Sequence, residues 1–324
     1  MASLIAALAL LAAPTALAVA GAPSDATSNR AARDEAVRAI PWRELTPQDR
    51  QLTQTVIKKA SLYRRLPTRV IDCDPDMFTF LMQHPDVIVD VWRVMGVSRV
   101  TLDRLPDGAF RGADGAGTTG TVRYLYASWA DDTQNAVLVL ADGAYEGQPF
   151  VKPVQAQTLM LLRSGAVQEL NGRHYITVRV DSFVRIEQIG IELVAKTVQP
   201  WITKTADQNF IETLSFVSNF SRTAEKNPQG MQRLAARLTT VDEPTRQELV
   251  QLCFRTAERY AQHDNARRTS DTSGATAGLS SSAFSAMTLL PELRTRTATF
   301  PALADSSLNP AAPPRYAGLV DMER

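Results

Sequence analysis

Three histidines, two cysteines and a plentiful supply of carboxylates are the side chains with which this chain could do chemistry. His84, His174 and His263 fall in no HExxH, CxxC or HxH spacing, so no zinc site is indicated. The run Asp72-Cys73-Asp74-Pro75-Asp76 imitates the opening of a calcium loop. Met77 and Gln83, however, stand where an EF-hand needs glycine and a bidentate glutamate, and helix capping accounts for the aspartates. The string GAGTTGTV, Gly115 to Val122, spells a phosphate-binding glycine pattern. A period-2 run follows it where a pyrophosphate needs a helix N-terminus, and neither HRD nor DFG occurs downstream, so it reads as a hairpin loop. There is no GxSxG elbow, and the spatial separation of carboxylates is not readable from their order. The expectation is a chain with no metal, no cofactor and no assigned catalytic residue.

Composition narrows the partners. Of 324 residues, 44% are hydrophobic and 21% charged, and 35 basic side chains against 34 acidic ones leave a net charge of +1, which gives no global attraction to nucleic acid. Leu4 to Ala20 is apolar apart from Pro14 and Thr15, and ends in Ala18-Val19-Ala20 before a polar segment. Its 17 residues are short for a bilayer span, where about 20 are needed, and match a secretory signal peptide cleaved near Ala20. No Lys or Arg precedes the run, so a retained anchor stays open as the alternative. No other stretch reaches the length of a span. Export to the periplasm or the extracellular space would let Cys73 and Cys253 pair, closing a 180-residue loop worth on the order of 5 kcal/mol; two buried free thiols are the alternative.

The elements that must position these groups follow from periodicity. Residues 21–45 read as a flexible linker and 46–72 as a leading helix, with Thr46 as cap, Pro47 in the first turn and a basic end of Lys58, Lys59, Arg64, Arg65 and Arg69. That cluster is either a solvated helix end complementing the helix dipole or a contact for an anionic surface or partner. Asp74-Pro75-Asp76 and His84-Pro85-Asp86 start two short helices, Pro75 to Met82 and Pro85 to Met95, facing Phe78, Leu81, Met82, Val87, Val91, Trp92 and Met95 inward. About six antiparallel strands follow Gly96, including a hairpin at Asn171-Gly172. Its second arm puts His174, Ile176, Val178, Val180, Ser182 and Val184 on one face and a mixed set on the other, which predicts a sheet with a single buried side. A short helix from Ile191 precedes a long one over Pro200 to Ala224, with Phe210, Ile211, Leu214 and Val217 on a stripe. Helices over Gln229–Leu238 and Glu243–Ala266 form an extension, 227–268, and 269–324 reads as a disordered tail.

The order of paired short helices, antiparallel strands and a long amphipathic helix resembles the helix-grip fold of START-like lipid-binding domains, over about residues 75–224. The most specific likeness is Pro200-Trp201-Ile202 with Phe210 and Leu214, similar to the family's terminal helix. The resemblance implies an α+β domain over 73–226, with a curved antiparallel sheet gripping the helix and an apolar cavity between them for a lipid or sterol-like molecule. The helices in front and behind depart from the family pattern. Large groups with a polar tip or edge are the candidate liners: Tyr124, Tyr126, Trp129, His174 and Trp201, together with Phe210. The leading expectation is an exported, non-enzymatic binder of a hydrophobic small molecule. An envelope interaction module without ligand is the alternative, and a cyclase or hydrolase using His174 and a nearby tyrosine is the third.

Overall fold

Among the described residues four helices begin on a proline, and the residue before it does the capping in three of them. Thr46 accepts from the Asp49 amide at 3.1 Å ahead of α2 (Pro47–Lys58), Asp74 from Met77 at 3.1 Å ahead of α3 (Pro75–Gln83), and Asn227 from Gly230 at 2.9 Å ahead of α6 (Pro228–Ala235). His84 both closes α3 and opens α4 (Pro85–Val94), without a side-chain capping bond. The computed structural model describes residues 25–129, 134–147, 152–169, 172–187 and 199–274, and of 134, 199–204 and 263–274 the backbone alone. The apolar run Leu4–Ala20, Asn171, the short helix expected from Ile191, and the tail beyond Gly274 lie outside the described residues.

One antiparallel sheet organises everything else. Its strands are β1 (Leu62–Arg65), β2 (Arg69–Asp72), β3 (Thr101–Arg104), β4 (Phe110–Ala113), β5 (Thr118–Ser128), β6 (Gln134–Tyr145), β7 (Val154–Gln168) and β8 (His174–Ile186). The order is β1-β8-β7-β6-β5-β4-β3, with β2 also on β8. β3 to β8 form a meander, and the first strands close onto the last one, Leu62 opposite Val184 and Arg69 opposite Val178. α3 and α4 fill the connection from β2 to β3. After β8 come α5 (Gln199–Lys226), α6 and α7 (Glu243–Gly274). This is an α+β, helix-grip-like architecture, a curved antiparallel sheet with a long helix after its last strand. α5 approaches the sheet at β2 and packs against α7.

Several expectations change. Residues 21–45 contain a helix, α1 (Arg30–Ala39), capped by Asn29 and buried through Ala32 and Ala36. The leading basic helix ends at Lys58, and Arg64, Arg65 and Arg69 belong to β1 and β2, which raises the strand count from six to eight. The sheet has two buried faces. On the inner one, Ile176, Val178 and Val180 of β8 join Met160, Leu162, Val137 and Val139 beneath α3, α4 and α5. On the outer one, Phe183, Leu159, Leu161, Leu138 and Leu140 pack with Tyr63 and with Ala36 and Val56 of α1 and α2. The N-terminal helices are therefore the second cover that a single-sided sheet would lack. Met95, expected to face inward, ends α4 at 43% exposure, and α7 continues past Arg268 to Gly274.

Candidate functional site

The inner face of the sheet is the one that α3, α4 and α5 cover. Phe210, Leu214, Val217 and Phe220 form the buried stripe of α5, as their three- and four-residue spacing requires, and belong to the same apolar cluster as the inner sheet face. Among those sheet residues stand three buried hydroxyls, Thr158, Ser164 and Ser182, with Ser182 opposite Met160 and Ser164 opposite Val178. Thr213 adds a fourth on α5.

The candidate liners do not converge. Tyr124 and Trp129 pack on the inner cluster with Phe210, but Tyr126 packs on the outer one. A β-bulge causes this: Tyr124 faces Val139 and Tyr126 faces Leu138, so the register slips at Leu125 and two successive side chains leave on the outer side. Simple alternation had put both tyrosines together. The Tyr124 hydroxyl donates to the Met82 carbonyl at 2.5 Å, and burial pushes its pKa up, so it is a fixed donor and a poor base. His174 opens β8 at the far end of the sheet, its carbonyl accepting from the Cys73 amide at 3.3 Å, with Asp74 close enough to interact. Trp201 lies in the first turn of α5, and its side chain is outside the described residues.

Cys73 and Cys253 are both free and both buried, each packed in the inner apolar cluster, in keeping with the reading of two buried free thiols. Burial raises both thiols, Cys253 to about 12, so neither is a nucleophile at neutral pH.

The glycine string is structural. Gly117 takes φ +105° in the β4–β5 turn, and a Cβ there would meet the Glu146 carbonyl oxygen at 2.2 Å. Gly120 packs against Gly143 across the β5–β6 pair, where a Cβ would come within 2.6 Å of the Asp142 oxygen. The aspartate run is equally occupied. Asp72 takes a bidentate bond from Arg173, whose guanidinium also reaches Glu225 at 3.2 Å and lies over the Tyr260 ring. Asp74 and Asp76 pair with Arg259 of α7. Among the described residues no group of three His, Cys, Asp or Glu side chains is placed to hold a metal ion.

Sequence reasoning missed the most concentrated charge in the described residues, on the outer face. Asp181, fully buried in β8, accepts from the Tyr63 hydroxyl and the Arg65 Nε, both at 2.7 Å. Arg163 reaches Asp181 at 3.4 Å and Glu35 at 3.2 Å, and Glu35 of α1 also accepts from Arg65 at 2.8 Å and Arg179 at 3.0 Å. Burial works to raise the Glu35 carboxyl, and the bonds and charges of the arginines outweigh it and hold it below the ordinary range. The missed signal was Ala32, Ala36 and Ile40 at four-residue spacing behind the Asn29 cap. Of the basic cluster, Arg64 pairs with Asp207 and Arg65 is buried here, so both are engaged within the chain.

No family model matches the chain, and no curated protein matches it. In structure it is similar to a hypothetical protein from Helicobacter pylori, at 10% identity and a TM-score of 0.32, over 48% of this chain and 85% of that one. A likeness that faint carries neither fold nor function. No helix among the described residues is long and apolar enough to cross a membrane.

Proposed function

We propose that this is an exported START-like domain that binds a hydrophobic, lipid or sterol-like molecule between the inner sheet face and α5, without chemistry on it. Export rests on the run Leu4–Ala20 and its Ala18-Val19-Ala20 ending. The domain type is supported by first strands closing onto the last, two short helices between β2 and β3, and a long helix after β8.

The observation that carries the binding reading is the set of buried hydroxyls, Thr158, Ser164 and Ser182, among Met160, Leu162, Val178 and Val180 on the face beneath α5. A solid core is best served there by branched apolar groups; small hydroxyls leave room and a polar handle, the usual make-up of a ligand site. Native mass spectrometry of protein purified without detergent is expected to show a bound mass that organic extraction removes. Ser164→Leu and Ser182→Leu should then weaken uptake of a fluorescent fatty acid or sterol analogue about tenfold while the protein stays folded. A bare mass, no uptake of either probe, and a loss of about 1–3 kcal/mol in both leucine variants would describe a filled core and overturn the reading.

One observation favours the interaction-module reading. The end of the outer face by β2, β8 and β7 is left open by α1 and α2, with Val70 at 40% and Val167 at 51% exposure beside Thr177 and Tyr175. Val167→Asp should abolish self-association or partner capture if that face docks a protein, and change neither if it does not.

A further inference from the structure

The outer-face charges do not balance. Arg65, Arg163 and Arg179 present three guanidinium groups to two carboxylates, Asp181 and Glu35. Asp181 is rooted in β8, whereas Glu35 comes from α1 and satisfies the three arginines with one contact each. The Arg163 Nε is buried with no partner. Arg179 stands at the rim with 35% of its side chain exposed, and Glu35 is more exposed still, so the cluster is open to solutes. Arg65 already donates a parallel pair to Asp181, from Nε at 2.7 Å and Nη2 at 3.3 Å, whereas Arg163 and Arg179 each reach Glu35 through one nitrogen, and a tetrahedral oxyanion offers these two the paired bonds that the shared Glu35 does not.

We propose that Arg65, Arg163 and Arg179 form a binding site for a phosphate-type oxyanion, occupied in the free protein by Glu35, and that the arriving phosphate displaces Glu35 and loosens α1. Glu35 competes as a tethered ligand held on a packed helix, so phosphate displaces it only at concentrations on the order of millimolar or above. Beyond Glu35, α1 is held by Ala32, Ala36 and Val37, by Ile40 just past its end, by the Ala32 carbonyl on Arg65, by the Trp42 indole donating to the Val37 carbonyl, and by Arg33, which donates to the Ile57 carbonyl and lies over the Phe183 ring. The helix therefore works as a strap over the site.

Hydrogen exchange over residues 30–39 of the full chain tests this, with inorganic phosphate compared against chloride at equal ionic strength, and phosphatidylglycerol against phosphatidylcholine vesicles. Phosphate is expected to speed exchange in α1 several-fold where chloride does not. Glu35→Ala and Glu35→Gln should gain thermal stability at about tenfold lower phosphate than the wild type needs to respond, and Arg179→Ala should abolish both effects. A response to inorganic phosphate without one to vesicles assigns a free phosphate group. A response to phosphatidylglycerol vesicles with none to inorganic phosphate assigns a lipid headgroup at the same arginines, provided Arg179→Ala cancels it. The proposal is overturned if neither probe moves α1 or stabilises the Glu35 variants, or if Arg179→Ala responds like the wild type.

Discussion

The two faces of the sheet are buried by different physics. The inner face is covered by α3, α4 and α5 mainly through non-directional apolar contact, with hydroxyls among its buried sheet residues and ion pairs, Arg173 with Asp72 and Glu225 and Arg64 with Asp207, tying α5 to the rest of the chain. The outer face is buried and apolar where Phe183, Leu159 and Leu161 meet α1 and α2; two residues further along the same strands it becomes a network of arginines and carboxylates with fixed partners. Apolar burial tolerates exchange of volume, whereas a buried charge network depends on each member, because removing one leaves its partners desolvated and unpaired.

The sharpest way to break this contrast is Asp181→Ala. It strands Arg65, Arg163 and the Tyr63 hydroxyl at once, and a loss of about 3–5 kcal/mol is expected in urea unfolding, with hydrogen exchange rising in α1 and not in α5. Phe210→Ala is the inner-face counterpart. It should cost about 3 kcal/mol if the space collapses or a ligand fills it, and should raise exchange in α5 with α1 unchanged.

Acid separates the carboxylates next. Glu35 titrates below its ordinary 4.5, so the stability it contributes is present above that value and is lost as pH falls through its folded pKa. Glu225 is raised, by burial first and against Arg173, so its charged form opposes folding and acidification through its folded pKa relieves that cost. The thermal midpoint of Glu35→Gln should therefore approach the wild-type midpoint as pH drops well below 4.5. That of Glu225→Gln should gain on the wild type as pH rises from the acidic end toward neutrality. Parallel profiles would show that the two sites are not electrostatically distinct.

Smaller effects sharpen the inner face. Tyr124→Phe removes one bond to the Met82 carbonyl and should cost about 1 kcal/mol, with an unchanged far-ultraviolet spectrum. The smallest expected effect is that of reductant. With Cys73 and Cys253 both free, dithiothreitol should leave the melting temperature unchanged, and thiol reagents should label both residues only after denaturation.

Much of the architecture was legible because its signals are local. Thr46 and Asp74 cap the helices that begin on the next proline, and the spacing of Phe210, Leu214 and Val217 reveals which face of α5 is buried. The alternation of Ile176, Val178 and Val180 likewise marks one face of β8. α1 was harder to see, since its buried face is two alanines and an isoleucine, too small to stand out in a polar segment. β1 and β2 were hidden because four-residue strands carry no measurable period, and their arginines look like the end of the preceding helix.

By itself the sequence determined helix starts, strand alternation and the α+β class, since caps, prolines and apolar spacing act within a few residues. The tertiary structure alone decided which groups meet across long separations. Arg65 and Asp181 lie 116 residues apart, and Arg173 and Asp72 lie 101 apart. It also decided that a bulge at Leu125 sends Tyr124 and Tyr126 to opposite faces, and that the chain before β1 covers the second face of the sheet. Register and layer order are set by which surfaces exclude water together, and no local window of sequence contains both surfaces.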